Sequence, residues 1–451
     1  MTDRRERLTG WGRTAPTAAT VRRAGAVELL QEAVTSAGER GVIARGLGRS
    51  YGDAAQNAGG LVLDMTALDR IHGVDGSSRL VDVDAGVSLD TLMRALLPFG
   101  LWIPVLPGTR QVTIGGAVAA DVHGKNHHVA GSFGNHVRSM ELLTADGEVR
   151  HLEPDGETAG LFWATVGGMG LTGVVLRLRL AVQEVDTAYF SVDTERAENI
   201  DDLMSRLSTD DDRYPYSVAW FDSTTTGDHL GRAVITRGRS ARVEELPEKL
   251  RARPLTFDAP RLGTVPPIAP NGLVNRVTGR AFNELWFRKA PRLRRDEIQN
   301  ITSFFHPLDV VGEWNRVYGP AGFCQYQFVV PFGQEQLFRR CTETIAASGH
   351  VSCLNVLKRF GEGNRSPLSF PMAGWTLAVD LPVRPGLDRL FATLDDMVLD
   401  AGGRLYLAKD SRLGRDTLAA MYPRLEEFRA IRKAVDPGNV FRSDLARRLD
   451  L

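Results

Sequence analysis

The sequence predicts a two-domain α+β protein, and three observations lead there. At 451 residues the chain is too long for one ordinary hydrophobic core. Residues 1–187 interleave short strand patterns with three stretches of glycine and small residues. From residue 188 glycine thins out and strands are followed by helices, the order of an antiparallel sheet covered by helices on one face.

Composition narrows the class. A hydrophobic share of 43% is that of a soluble globular protein. Lys+Arg 55 equals Asp+Glu 55, so no overall basic field draws nucleic acid. The three cysteines, Cys324, Cys341 and Cys353, form no Cys-x-x-Cys and indicate neither a disulfide framework nor a zinc site. His127 and His128 are adjacent, point apart on a strand and have no evident third ligand, so no metal is expected. No run approaches the ~18–20 apolar residues of a membrane span. The charged start, residues 1–7, is not followed by a signal-peptide core. Cytoplasm, or the periphery of the inner membrane, is the expected location.

In chain order, residues 1–20 read as a tail crossing the first domain, with Trp11 as its anchor. Val27, Leu30 and Val34 fall at helical spacing within Ala26–Ala37. Residues 41–44 and 61–64 read as buried strands around the first glycine stretch. Residues 80–87 alternate as a strand. Ser88 then caps a helix over 89–97, which Pro98 and Gly100 end. Residues 140–150 form a hairpin around Asp146-Gly147, and Leu176–Leu180 alternate strictly. In the second domain, residues 217–222, 233–236, 324–330 and 375–380 read as strands, and 337–347 and 386–401 as helices. Residues 254–295 are rich in proline and glycine, then basic and aromatic. Either they form a mobile surface loop with a solvated helix, or a lid that receives an acidic, lipid-bearing substrate.

The glycine stretches carry the chemistry. Arg45-Gly46-Leu47-Gly48-Arg49-Ser50-Tyr51-Gly52-Asp53 lies between two strands, where successive N–H groups form an anion-binding concavity suited to a diphosphate. The stretch lacks the Gly-Lys-Ser/Thr ending of a Walker loop, and no helix follows it as in Gly-x-Gly-x-x-Gly. On this stretch alone a tight glycine hairpin remains the alternative. Residues 106–124 and 164–175 repeat the character, which suggests backbone packed along an extended cofactor.

Together these three stretches resemble the FAD-binding domain of the vanillyl-alcohol oxidase and aldonolactone oxidase superfamily. That implies a PCMH-type FAD-binding fold over 1–187, an antiparallel-sheet substrate domain over 188–403 with its mobile loop at about 254–295, and a return of 404–451 to the first domain. Residues 436–441, Asp-Pro-x-x-x-Phe, resemble the returning tail. Residues 48–53, 121–128, 311–319, 356–361 with 367–371, and 406–412 are similar to the actinobacterial decaprenylphosphoryl-ribose 2′-oxidase family. The resemblance implies oxidation of the 2′-hydroxyl of a polyprenyl-phosphoribose, the first half of an epimerisation that serves cell-wall arabinan. An NAD-dependent reductase partner would complete it.

Carried over residue by residue, the resemblance puts the FAD contacts at Ala44, Arg45, Gly46, Leu47, Gly48, Arg49, Ser50, Tyr51, Gly52, Asp53 and Ala54. Gly108, Thr113, Ile114, Gly115, Gly116, Ala120, Asp121, Val122, His123, Val175 and Tyr406 complete them. The catalytic pocket would hold Tyr51, His123, Lys125, Gln327 and Lys409. Lysine and histidine are the acid/base types available for the hydroxyl proton, and Lys409 can offset negative charge on the flavin. Ala378 stands where many mycobacterial members have the cysteine that covalent nitroaromatic inhibitors capture, which puts covalent inhibition in doubt. By family resemblance the periplasm or cell envelope is a second location. Two other functions stay open: an aldonolactone or alditol oxidase using O2 on a free sugar, and a flavin-free carbohydrate or lipid-carrier binding protein.

The resemblance also implies FAD held without a covalent bond. Arg49 stands where covalent members carry histidine, and residues 106–124 contain no cysteine. Acid precipitation and centrifugation should leave the yellow colour in the supernatant; colour in the pellet would reopen His123 as an attachment point.

Overall fold

The computed structural model describes residues 3–451, so Met1 and Thr2 of the expected tail lie outside the described residues. Two larger sheets build the first domain, beside a two-stranded pair of Leu101–Trp102 and Gln183–Glu184. In one, Arg4–Leu8, Thr17–Arg23, Leu61–Asp64 and Val42–Arg45 lie side by side in that order. Val42–Arg45 and Leu61–Asp64 run parallel. Parallel strands cannot be joined by a tight turn, so the first glycine stretch is a crossover and the hairpin alternative is excluded. In the other sheet, Ile71–Asp75, Leu80–Asp84, Val174–Ala181, Val137–Leu143 and Val149–Leu152 are all antiparallel. Leu176, Leu178 and Leu180 are buried while Arg177 pairs with Asp82 on the wetter face, as the alternation predicts.

Local chemistry sets the joints of this domain. The Ser88 hydroxyl accepts from Thr91 N at 3.0 Å and caps the helix Leu89–Leu96. That helix passes through a 3₁₀ turn holding Pro98 and stops at Gly100, whose φ of +68° a side chain would resist. The Asp146-Gly147 turn joins Val137–Leu143 to Val149–Leu152, with Gly147 at φ +83°.

The second domain is an eight-stranded antiparallel sheet in the order Leu293–Asn300, Tyr189–Ala197, Ala233–Ser240, Tyr216–Phe221, Asn355–Phe360, Gly374–Pro382, Phe323–Pro331 and Arg404–Leu405. Along Phe323–Pro331 the period of two divides the residues cleanly. Tyr326 stacks on Phe391 and Phe328 packs on Phe338, both on helices behind the sheet, while Gln325 and Gln327 face a cavity. One face is therefore core under Glu335–Ala347 and Leu387–Asp400, and the other is free to hold polar side chains.

Residues 254–295 are more structured than a loop. Gly263–Thr264 pairs in parallel with Val311–Gly312, Arg276–Lys289 is a helix, and the basic end runs into the edge strand Leu293–Asn300. The helix is tied down on one side. Asn283 Nδ2 donates to Asp222 at 2.9 Å and to the Ser352 carbonyl, and Arg232 bridges Asp222 and Glu284. Pairing with Tyr189–Ala197 makes residues 293–295 a strand despite their charge, a long-range gain that their own sequence does not advertise.

After the substrate sheet the chain returns to the first domain. Val42 N donates to Val440 O, Arg442 N to Val42 O, and Tyr51 N to Ala408 O. Arg448, on the helix Asp444–Leu449, clasps both Asp53 carboxylate oxygens at 3.0 and 2.7 Å and pairs with Asp410 at 2.9 Å. One guanidinium thus joins the first glycine stretch, the Lys409 segment and the C-terminal helix. Arg448→Met leaves two shielded carboxylates without their cation and should lower the unfolding free energy by about 3 kcal/mol. Urea denaturation reads this directly, and an unchanged midpoint would show that the clasp is dispensable.

Candidate active site

A cavity of about 1390 Å³ lies between the two domains. It exceeds the ~300–1,000 Å³ of an ordinary small-molecule site, so it has room for an extended cofactor and a second molecule. All three glycine stretches line it, through Gly46, Leu47, Gly48, Arg49, Ser50 and Tyr51, then Gly108, Thr113, Gly115 and Gly116, then Met169, Gly170, Gly173 and Val175. Ala44, Ala54, Ala120, Val122, His123 and Tyr406 complete the sequence-derived cofactor residues that face it.

The other five stand behind this wall. Ile114 is in the core, and the Arg45 guanidinium turns back to the Ala55 and Thr9 carbonyls. Asp53 belongs to the Arg448 clasp, and Gly52 packs against Asp410, whose carbonyl would lie 1.9 Å from a Cβ placed there. Asp121, at φ +39°, accepts from Ser369, Asn364 and the Gly134 N–H and so pins the second glycine stretch to the substrate domain.

The cradle fits a dinucleotide with bare backbone. Gly46 and Thr113 bring the first two stretches into contact, since a Cβ on Gly46 would meet Thr113 Oγ1 at 2.1 Å. Gly48 has φ +65°, and its missing side chain makes room for the Arg45 guanidinium. A Cβ on Gly108 would meet nothing within 4 Å, so backbone faces open space. Arg49 stacks on Trp11 at 3.9 Å and spends its Nε–H on the Gln111 carbonyl, leaving cationic edge toward the cavity. Trp11 is indeed an anchor, through this stack and its edge contact with Trp314.

The polar face of the large sheet carries a cluster of titratable and amide groups into the cavity. His123 has Gln327 Nε2 at 3.1 Å from its Nε2 and Lys358 Nζ at 3.0 Å from its Nδ1. Burial, then the charges of Lys358, His127 and Lys409, hold this imidazole well below its ordinary range, so it is neutral. Beside this cluster Lys409 Nζ sits 3.8 Å over the Tyr51 ring. Gln325 reaches from the Tyr51 hydroxyl, at 3.3 Å, to the Asp380 carboxyl. Burial lowers Lys409 and raises Asp380, and their mutual attraction opposes both shifts. Lys125 stands apart: it donates to the Phe304 carbonyl, lies 4.4 Å from the Phe304 ring, and is lowered by burial to about 7.

Lys358, Gln325 and Asp380 were not singled out from sequence. Their signal is a charged or amide residue at alternate positions of a strand otherwise made of core residues. It becomes readable only with the register that sets Gln325 opposite Asp380 and Gln327 opposite Ala378. Ala378 lines the cavity, and so does Cys353, whose thiol burial pushes up to about 11, leaving little reactive thiolate there.

Comparison with known proteins agrees with this geometry. A model of the FAD binding domain matches residues 18–153, and one of D-arabinono-1,4-lactone oxidase matches residues 344–449. The decaprenylphosphoryl-beta-D-ribose oxidase of Mycolicibacterium smegmatis is 58% identical over 99% of this chain and 98% of its own. An alditol oxidase of a Streptomyces species is 26% identical over 98% of each chain. The L-gulono-1,4-lactone dehydrogenase of Mycobacterium tuberculosis is 23% identical over 93% of each.

The cofactor is FAD, and the contact between the first two stretches is testable. Gly46→Ala should yield folded protein with a reduced flavin-to-protein absorbance ratio, whereas Gly38→Ala, with nothing within 4 Å, should keep the full ratio. Equal ratios would show that the Gly46–Thr113 contact does not shape the cradle. With its FAD-binding domain and a relative 58% identical along nearly its whole length, the chain belongs to the decaprenylphosphoryl-β-D-ribose oxidase family of FAD-dependent oxidoreductases.

Proposed function

We propose that this enzyme oxidises the 2′-hydroxyl of decaprenylphosphoryl-β-D-ribose, or a near polyprenyl homologue, to the 2′-ketone. This is the first half of an epimerisation to the arabinose donor for cell-wall arabinan. An NAD-dependent short-chain reductase would complete the second half. The observation that carries the reading is a single cavity with a bare-backbone cradle, a cationic reacting end and an aromatic, basic mouth.

Each part has a task. FAD, when bound, supplies the two-electron acceptor, held without a covalent bond by the cradle, since Arg49 occupies the attachment position. His123 and Gln327 meet the hydroxyl. Lys125 and Lys409 make the chamber attractive to a phosphodiester, because a buried ammonium gains most from an anion in a water-poor site. At the mouth, Phe282 stacks on Trp286 at 6.0 Å, and both line the cavity with Lys289 and Arg294. Leu262, Ile268, Val277 and Leu285 are exposed around them.

Within residues 260–295 eight Lys and Arg face one acid, Glu284, which Arg232 already pairs. Apolar side chains among cations suit the surface of an anionic membrane, where a lipid chain would leave the cavity. Among the described residues no helix is long and apolar enough to cross a membrane. A peripheral position fits this patch, on the cytoplasmic or the periplasmic side. A free sugar oxidised with O2, the other reading, would leave the mouth without a role.

Anaerobic mixing with polyprenyl-phosphoribose should bleach the flavin bands, and free ribose or alditols should not. Bleaching by an alditol alone would replace this substrate with a free sugar. Replacing Trp286, Arg288 and Lys289 together with Ala should raise KM for a long-chain substrate more than for a short-chain analogue. Equal effects would remove the membrane role.

A further inference from the structure

His123 is engaged at both ring nitrogens, and the surroundings decide which one carries the hydrogen. A neutral imidazole donates from one nitrogen and accepts at the other. The Thr376 hydroxyl donates to the Phe328 carbonyl at 2.8 Å, so its oxygen is left to accept from Gln327 Nε2, 3.5 Å away. That fixes the Gln327 amide with its nitrogen, a donor only, toward His123. Nε2 therefore accepts and Nδ1 carries the hydrogen, pointing at the Lys358 amine 3.0 Å away. An ammonium could not receive it. Burial, then the charges of Lys409 and Lys125, push Lys358 down to about 7, which makes the neutral amine available.

We infer that His123 and Lys358 form a relay that carries the substrate's hydroxyl proton away from the reacting carbon, with Lys358 as its destination. The inference rests on the 2′-hydroxyl oxidation proposed above. The hydroxyl takes the place of the Gln327 N–H at Nε2. The C2′–H bond breaks with its electron pair, and the hydride goes to FAD. The O–H bond breaks and its proton joins Nε2, while the Nδ1 hydrogen passes to Lys358. The C–O bond becomes C=O, the amine becomes ammonium, and the imidazole ends neutral in its other tautomer. A relay is needed because His123 alone would have to become an imidazolium where burial, first of all, and the nearby Lys409 oppose it.

The groups facing the pair are Lys125 and His127 beyond the second glycine stretch, and Lys409 and Tyr406 from the C-terminal segment. Asp380 acts on Lys409 from the adjacent strand. Below about 7 Lys358 is charged and cannot accept, so flavin reduction should rise with pH through about 7.

Stopped-flow reduction of the holoenzyme by polyprenyl-phosphoribose tests this. Lys358→Met should slow flavin reduction by about 100-fold or more, leave half-saturation nearly unchanged and abolish the acid limb. Lys358→Ala should be rescued by methylamine, which restores a neutral amine in the space left by the side chain. Nitrogen-15 histidine spectra of the resting holoenzyme need no turnover. His123, assigned by its loss in His123→Gln, should carry hydrogen on Nδ1 at pH ~9 and on Nε2 at pH ~5, with no inversion in Lys358→Met. Hydrogen on Nε2 at both pH values, or full-speed reduction by Lys358→Met, would overturn the relay. If the wild-type enzyme is not reduced by polyprenyl-phosphoribose, the substrate reading falls and the tautomer inversion alone decides for or against the relay.

Discussion

Lys125, Lys358 and Lys409 sit against one cavity, and burial lowers the proton affinity of all three. Taking an ammonium out of water costs several kcal/mol unless an anion meets it. The Asp380 carboxyl offsets Lys409, and repulsion from its fellow lysines adds to the lowering of Lys358. The chain tolerates the arrangement because a lysine can give up its proton, which an arginine in the same place could not. The same strain favours an anionic ligand. Binding an anion beside Lys125 or Lys409 would draw protons back onto those two amines, so affinity and protonation are linked, and the folded state gains by whatever the ligand binds.

Holding those amines still is the task of the sheet. Side chains on Asn355–Phe360, Gly374–Pro382 and Phe323–Pro331 alternate strictly, and three neighbouring strands present Lys358, Ala378 and Gln327 to one face. A slip of one residue in any of them would exchange a cavity-facing residue for a core residue. The opposite face, with Tyr326 on Phe391 and Phe328 on Phe338, resists such a slip through buried aromatic area. The placement of the cavity-facing side chains is here a by-product of core packing.

The mouth follows a different logic. The helix Arg276–Lys289 buries Gly279, Asn283 and Phe287 and leaves Val277, Leu285 and Trp286 exposed. A helix packed only for stability would turn more of its apolar side chains inward beside Phe287. The ties through Asp222, Ser352 and Arg232 hold an apolar face outward at the cavity entrance, where a lipid chain would otherwise meet water.

Some of this was legible in the sequence, because local chemistry specifies it. The Ser88 cap, the Asp146-Gly147 turn and the alternation of Leu176–Leu180 each follow from a few adjacent residues, and the glycine stretches declare where bare backbone is wanted. The α+β class followed from these elements. The sequence could not say that the first stretch is a crossover, which depends on Leu61–Asp64 running parallel to Val42–Arg45. Nor could it say that Arg45, Asp53 and Asp121 turn away from the cavity to brace it, since their partners lie far along the chain. Lys358, Asp380 and Gln325 join the site only through strand register, and the hydrogen on His123 is placed by Thr376 and Gln327 together. Periodicity and backbone preference are properties of neighbours in sequence. Which side chains meet, and in which direction a hydrogen bond runs, are properties of strands paired across long loops, and only the tertiary structure decides them.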